Sequence, residues 1–319
     1  MNVSTMTTRR RFLSSCFAAI GGMAIAAMPN GTMPVAVAVG SGSGFLIAEE
    51  QKAGSFVVID GRKDGTPAWS WEWNPARDPG IPKSEVYDFR APSDGKVLAT
   101  SAGPSLLAVS SGGNFAEVSF VTGKAICYGK VGGNPHSIAK LPEEGLYAIA
   151  SSVSHAVTVV DVAGNPFAPE KQRKEAYFLN SAHGVEWDGA RHCLWALGGT
   201  NLVRFAFDAS AKTLQPVDSH DFRPVGGGGG HDLSPDGTGG YFLTTRKSLL
   251  HFDPETGAFV KVCGKAEIKS FSRNPGWGDA YVVVREVWWS DRILVRAGDE
   301  ERVIGPYPGA RFYKARWMK

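Results

Sequence analysis

Short apolar runs recur in pairs along the chain, and polar turns separate the two members of each pair. Runs of four to six apolar residues are typical of strands that are buried on both faces. The pattern therefore predicts six consecutive strand–turn–strand units from Gly40 onward. The first members of the pairs are residues 44–48, 105–109, 146–150, 193–197, 240–244 and 280–284, and the second members are residues 56–60, 115–120, 157–161, 202–207, 249–253 and 292–295.

A polar turn residue follows the second run in several units, as at Asp60, Thr122, Asp161 and Asp253. Asp and Thr side chains accept hydrogen bonds from their own turns, and the glycines nearby supply positive φ. Because these residues recur at the same place, we interpret them as structural and not catalytic. The alternating Trp69, Trp71 and Trp73 predict a strand whose three rings share one face and pack against a neighbouring unit.

Three histidines, His136, His183 and His231, each precede an apolar pair, and they are 47 and 48 residues apart. A fixed period of 40–50 residues made of short strands is typical of a β-propeller. Residues 39–319 divided by six give about 47 residues per unit. The sequence thus predicts an all-β, six-bladed β-propeller. Residues 310–317 are expected to form the innermost strand of the first blade, which closes the ring and removes its free edges.

Equivalent positions of successive blades face each other around one axis, so distant residues converge there. Aligning the innermost strands on the turns that follow them places one residue per blade at the axis. For blades 1, 2 and 6 the alignment can slip, with Tyr313, Tyr87, Arg90 and Phe271 as alternatives. The predicted axial residues are Arg311, Asp88, His136, His183, His231 and Lys269.

Three converging imidazoles suit a divalent transition metal, and an added carboxylate favours manganese, zinc or iron. His136, His183 and His231 are the predicted ligands. Two alternatives stay open: a polar site without metal, and histidines that only line the channel.

The loops between the paired strands are expected to form the channel mouth. Arg246, Arg285, Lys269 and Arg311 would make it cationic, and guanidinium groups bind carboxylates in a bidentate manner. Trp288 could stack on a sugar ring, or it is a rim hydrophobe. Arg246, Arg285, Trp288 and Asp88 are therefore the predicted substrate-binding residues.

The first residues indicate targeting. Residues 7–14, with Arg9, Arg10 and Arg11, resemble a twin-arginine export signal, and the apolar run from Cys16 to Met28 is too short to span a bilayer. We predict a signal at residues 1–38 and a single propeller domain at 39–319. The resemblance implies a bacterial protein that the twin-arginine translocase exports in folded form to the periplasm or medium, with no membrane association after cleavage.

Composition excludes one class of partner. The net charge is +3, and residues 1–38 hold three Arg and no acid, which leaves 31 basic and 31 acidic residues. Such a balance does not indicate nucleic-acid binding. Cys127, Cys193 and Cys263 lie in apolar runs, so we expect small buried residues and no disulfide framework.

The segment from His231 to Gly237, with histidines on successive blades, is similar to the oligogalacturonate lyases, whose propeller histidines hold manganese. The resemblance covers about residues 130–240 and implies β-elimination on a uronic-acid glycan, with carbohydrate degradation as the role. Metal and Arg would neutralise the C6 carboxylate, and a His, Lys or Arg would take the C5 proton. Lys269, His183 and Arg311 are the candidate catalytic residues.

Two other functions compete with the lyase. Six-bladed propellers include calcium lactonases, but calcium prefers oxygen ligands and the three histidines argue against it. The main alternative is a non-catalytic periplasmic propeller that binds or scaffolds a protein or glycan.

Overall fold

A computed structural model of the protein describes residues 43–283 and 288–318. The described residues form 24 strands in six four-stranded antiparallel sheets, so the predicted six-bladed propeller is confirmed. The predicted export signal at residues 1–38 lies outside the described residues and stays a prediction, as does the domain boundary that follows it. Arg285 also lies outside them.

Blades are numbered here in chain order. Blade 1 contributes β1 (Phe45–Glu50), β2 (Ser55–Asp60) and β3 (Trp69–Trp73), and blade 2 contains β4 (Pro92–Leu98), β5 (Ser105–Ser110), β6 (Asn114–Ser119) and β7 (Ala125–Lys130). Blade 3 contains β8 (Pro135–Lys140), β9 (Leu146–Ser151), β10 (Ala156–Asp161) and β11 (Arg173–Phe178), and blade 4 contains β12 (Gly184–Asp188), β13 (Cys193–Leu197), β14 (Asn201–Asp208) and β15 (Thr213–Asp221).

The last two blades follow the same plan. A four-residue helix, α1 (Arg223–Gly226), precedes blade 5, and 3₁₀ turns occur at Pro75–Arg77, Val86–Phe89 and Pro169–Lys171. Among the described residues, no helix has the length and apolar character needed to cross a membrane. Blade 5 contains β16 (Gly230–Pro235), β17 (Tyr241–Thr245), β18 (Leu249–Asp253) and β19 (Ala258–Cys263), and blade 6 contains β20 (Ile268–Asn274), β21 (Gly278–Val283), β22 (Ile293–Ala297) and β23 (Glu300–Ile304).

The C-terminal strand β24 (Phe312–Trp317) pairs with β1 and completes blade 1, as predicted. Leu46 lies opposite Trp317, and the Met318 amide donates to the Phe45 carbonyl over 2.9 Å. The ends of the described chain are thereby held in one sheet, and the ring has no open edge at the channel.

The predicted structural role of the turns is confirmed. The Asp60 carboxylate accepts from the Arg62 amide over 3.1 Å, and the Asp161 and Asp253 carboxylates accept in the same way from the amides of Ala163 and Glu255. Trp71 packs on Phe120 of blade 2 with ring centroids 4.4 Å apart, as predicted. The predicted shared face is wrong for Trp69: an irregularity between Trp69 and Trp71 turns the Trp69 ring to the opposite face, where it packs against apolar residues of blades 1 and 6. Cys127, Cys193 and Cys263 are free thiols, of which the first two are buried and Cys263 is half-buried.

The innermost strands carry a shared irregularity. Five of the six have a β-bulge near their first residues, where one strand has an extra residue relative to its neighbour. A bulge changes the direction of a side chain. The extra residues are Ser93, His136, His231 and Lys269, and in β24 the pair Tyr313–Lys314 lies opposite Glu49.

Buried charges from β24 cross the channel. The Arg316 guanidinium donates to Asp94 of blade 2 over 2.8 Å and also binds Asp232 of blade 5. Lys314, fully buried, lies 3.0 Å from Asp232 and donates to the His136 carbonyl over 2.9 Å. These contacts join the closing strand to blades 2, 3 and 5.

Replacing the central cation tests this network. We expect Arg316→Met to lower the free energy of unfolding by about 3–5 kcal/mol, because it removes the guanidinium that two buried carboxylates share and leaves them with the lysine contacts alone. Urea unfolding followed by circular dichroism measures the loss. The control Arg292→Met removes an exposed pair with Asp291 and is expected to cost less than about 1 kcal/mol. Equal effects of the two changes would contradict the role given to Arg316.

Glu49 is buried beside this network without a hydrogen bond to either carboxylate oxygen. Burial, and then the charge of Asp94, raise the pKa of Glu49 well above its usual value, against the opposing charges of Arg316 and Lys314. A Cβ on Gly95 would lie 2.7 Å from Glu49 Oε1, so the glycine leaves the space that the carboxyl group occupies. Burial and the Asp94 charge therefore favour the protonated, neutral form of Glu49 in the folded protein.

This proton makes stability depend on pH. A carboxyl whose pKa is raised by folding stabilises the protein fully below its unfolded pKa, near 4.5, and that contribution is lost as pH rises through the folded pKa. We expect Glu49→Gln to remove this loss, so that unfolding free energies of variant and wild type diverge with rising pH. Denaturant unfolding across a pH series measures the divergence. The exposed control Glu144→Gln should follow the wild-type slope, and identical slopes for all three proteins would contradict the prediction.

Candidate active site at the end of the channel

A cavity of ≈ 480 Å³ lies where the innermost strands begin. Residues from all six blades or the segments leading into them surround it, which confirms that the axis gathers residues distant in sequence. Its walls are Gln51, Ala91, Ser111, Asn134, His136, Ser152, Ser181, His183, Gly229, Gly230, His231, Arg246, Lys269, Trp288 and Tyr313.

The three predicted histidines do converge in this cavity. His136 and His231 occupy bulges, and the His183 amide donates to Leu197 over 2.8 Å just before β12. Gly230 allows a close approach, since a Cβ there would lie 2.4 Å from the Gly198 carbonyl oxygen. His155 accepts the Ser181 amide with Nδ1 over 2.9 Å and is not among the residues that line the cavity.

The imidazole rings stack on each other instead of pointing at one centre. His136 and His183 are parallel, with centroids 4.5 Å apart and 4° between planes, and His231 meets His183 edge-on at 5.5 Å. Each Nδ1 has a partner: Tyr313 Oη at 3.2 Å for His136, the Ser181 carbonyl at 2.8 Å for His183, and Lys269 Nζ at 3.2 Å for His231.

The rings are neutral near neutral pH. Burial, followed by the nearby cations, lowers the pKa of His231 to about 2, and burial lowers the pKa of His183 to about 4. Burial and the His183 ring hold the pKa of His136 well below its usual value. Neutral imidazoles offer lone pairs and N–H groups to a ligand without adding charge.

Lys269 is the residue of the cavity that is best suited to accept a proton. It is 4% exposed, and its Nζ lies 4.9 Å from the centre of the Tyr313 ring and 5.2 Å from that of Trp288. Burial, and then the charge of Lys314, lower the pKa of Lys269 to about 7. Among the described residues, no carboxylate forms an ion pair with it. At neutral pH a large share of this amine is unprotonated.

Two predicted substrate-binding residues, Arg246 and Trp288, do line the cavity. Arg246 is exposed and, within the described ranges, has no carboxylate partner. Trp288 is 70% exposed. A free guanidinium beside an aromatic ring suits a ligand that has both a carboxylate and an apolar face.

Two predicted axial residues lie elsewhere. Asp88 belongs to the 3₁₀ turn Val86–Phe89, where it binds Lys130 and Arg90, and Ser93 takes the axial position in blade 2. Arg311 precedes β24 and lies over the Trp289 ring at 5.1 Å, whereas Tyr313 takes the axial position. The alignment lacked the bulges, so it placed these residues wrongly; Tyr313 had been one of its alternatives.

The sequence analysis missed several polar residues of the walls. Asn134 and Ser181, both at positive φ, lie two residues before His136 and His183. Gln51 follows β1 and donates to the Pro92 carbonyl over 3.1 Å. The repeated offset from the histidines is the signal that could have found Asn134 and Ser181.

The predicted metal has no preassembled ligand group in the part of the chain that the structure describes: no three His, Cys, Asp or Glu side chains there form a metal-binding group. The carboxylates deeper in the channel, Asp94 and Asp232, are already paired with Arg316 and Lys314. A bound manganese, zinc or iron ion therefore stays a prediction from the sequence, and the function proposed below does not use it.

Comparison with solved structures finds other propellers at low identity. A functionally unknown protein from Desulfotomaculum acetoxidans DSM 771 is 12% identical, with a TM-score of 0.53 over 86% of this chain and 84% of that one. The β-propeller domain of Myceliophteria thermophila Cps50 (Swd1) is 10% identical, with a TM-score of 0.51 over 81% and 83%. These likenesses show the fold alone.

A third similarity is weaker. Hydrazine synthase of Kuenenia stuttgartiensis is 14% identical, with a TM-score of 0.43. The match covers 69% of this chain and 64% of the hydrazine synthase chain. No curated protein matches the sequence. Residues 22–319 match the model of a family of unknown function, DUF6528, and the chain belongs to that family.

Proposed function

We propose that the axial cavity binds a uronic-acid-containing glycan and cleaves it by β-elimination, with Lys269 as the base. The observation that carries this proposal is a buried amine whose pKa is near neutrality, in a cavity that also holds a guanidinium, where neither cation forms an ion pair with a carboxylate of the described residues. A general base works best when its pKa lies near the operating pH. The predicted export signal places this activity in the periplasm or the medium.

The cavity suits a sugar acid in size and chemistry. Its ≈ 480 Å³ lies within the range of small-molecule sites. Arg246 would pair with the carboxylate at C6, and the exposed Trp288 ring would stack on the sugar. Neutral imidazoles and the Asn134 and Ser181 side chains supply hydrogen bonds for hydroxyl groups.

The reaction has a simple balance. The neutral Lys269 amine takes the C5 proton while Arg246 stabilises the negative charge that develops on the carboxylate. The electron pair then forms the C4–C5 double bond and the C4–O bond breaks. The leaving oxygen receives the proton from the Lys269 ammonium, so the amine is regenerated without any other reactant.

The alternative function predicted from the sequence is a propeller that binds glycans without cleaving them. It would use the same cations and the same Trp288 ring. The two functions differ in whether the C4–C5 double bond forms. The assay of that bond therefore decides between them.

The base is tested by removing its amine. On a panel of uronate glycans we expect the wild type to raise the absorbance of the unsaturated product, and Lys269→Met to lower kcat/KM by about 10²-fold or more. The control Lys265→Met, in the same blade, removes a lysine that pairs with Glu301 outside the cavity and should stay active. Absence of product from the wild type across the panel, with and without added manganese or zinc, would exclude the lyase.

The pKa of the base sets the pH profile. Because the neutral amine is the active form, we expect kcat/KM to rise with pH and to reach half of its plateau near pH 7. The three histidines contribute no inflection there, because their pKa values lie well below 7. Initial rates across about pH 5–9 measure the profile, and a flat profile over this range would rule out Lys269 as the base.

A further inference from the structure

A second cavity, of ≈ 450 Å³, adjoins the axial one at blade 1. We call it the rim cleft. It lies between the turn after β1 and the segment that leads into β24. Its walls are Glu50, Lys52, Ala53, Trp69, Tyr307, Pro308, Gly309 and Ala310.

Residues 50–52 and residues 310–313 form a thin wall between the two cavities. Glu50 and Lys52 line the rim cleft, whereas Gln51 between them lines the axial cavity. Likewise, Ala310 lines the rim cleft and Tyr313 the axial cavity. The Gln51 amide donates to the Arg311 carbonyl over 2.9 Å, so the two stretches form one short wall. The two cavities are therefore neighbours on either side of this wall.

The cations along this path are free. Lys52 and Arg311 are exposed, and neither is paired with a carboxylate of residues 43–283 or 288–318. Lys52 Nζ reaches over Gly309, where a Cβ would lie 2.7 Å from it. Glu50 contributes the one acidic group, and its oxygens accept the amides of Lys52, Ala53 and Arg311 over 3.1, 2.6 and 2.7 Å.

Aromatic rings complete the rim cleft. Trp69 is half-buried in its wall, and the hydroxyl of Tyr307 donates to the Pro67 carbonyl over 2.8 Å, which fixes the ring. Arg311 lies over the Trp289 ring, 5.1 Å from its centroid. Aromatic rings beside cations suit the apolar face and the carboxylate of a sugar acid.

We propose that the rim cleft is a second sugar subsite, which holds the neighbouring unit of an acidic oligosaccharide whose first unit occupies the axial cavity. This inference rests on the proposed function, since it takes the same class of ligand. It makes the substrate an oligomer and assigns Lys52 to the carboxylate of the second unit.

Calorimetric titration with galacturonic acid and with its linear trimer tests the subsite. Every protein titrated, including the one called wild type in this test, carries Lys269→Met, so that the trimer is bound and not cleaved. We expect the wild type to bind the trimer roughly tenfold tighter or more, the gain of one charged hydrogen bond in a partly enclosed site. Lys52→Glu should abolish this gain by placing an anion at the second carboxylate. Titration of the monomer with the same variant shows whether the loss is confined to the oligomer.

A matched lysine provides the control. Lys124 is exposed in the turn between β6 and β7, at the far end of these strands from Ser111 and the axial cavity. Lys124→Glu changes net charge equally and should keep the full gain of the wild type. Circular dichroism melts confirm that each variant is folded.

The outcomes separate the two proposals. Monomer binding without a gain for the trimer, or a gain that Lys52→Glu leaves intact, overturns the subsite and spares the axial site. Equal losses in Lys52→Glu and Lys124→Glu show general electrostatic attraction and also overturn the subsite. Failure of both ligands to bind the wild type overturns the uronate site itself and the subsite with it.

Discussion

The ion pairs of Arg316 with Asp94 and Asp232 are the interaction on which the rest of the structure depends. A ring of blades needs a closure, and here it is the strand from the end of the chain. Pairing with β1 joins that strand to blade 1 only. The Arg316 guanidinium also reaches blades 2 and 5 across the channel. Buried charges tolerate only a well-matched geometry, so this contact determines how the blades surround the channel.

The same charges set the chemistry of the cavity above them. Lys314 lies two residues before Arg316 on the same strand. It is fully buried and donates to the His136 carbonyl. Its positive charge is the second cause, after burial, of the lowered pKa of Lys269. It also contributes to the lowered pKa of each histidine. A strand that closes the fold therefore also adds to the effect of burial in lowering the pKa values of the amine and the imidazoles of the site.

Most of the fold was predictable because blade strands are buried on both faces, and their apolar runs are continuous. The spacing of His136, His183 and His231 predicted the number of blades, and Lys269 followed from aligning the innermost strands on the turns after them. Asp88 and Arg311 were misplaced because an extra residue in a bulge leaves no mark in the apolar pattern. The stacking of His136 on His183 was not predictable. It depends on Tyr313, which reaches His136 from β24, and on the Ser181 carbonyl, which a residue at positive φ brings to the ring of His183.

The bulges explain why a propeller can change its chemistry without changing its packing. Side chains of a regular innermost strand alternate between the two neighbouring blades, and its hydrogen-bonding edge faces the channel. A residue in a bulge leaves this alternation and points to the axis. Its neighbours keep their roles: Ser137 still donates to Asp94 of blade 2, although His136 beside it lines the cavity. The axial residue of a bulged strand can therefore vary independently. His136, His231, Lys269 and Tyr313 reach the cavity in this way, whereas the Ser93 hydroxyl in the bulge of blade 2 donates to the Val109 and Pro135 carbonyls.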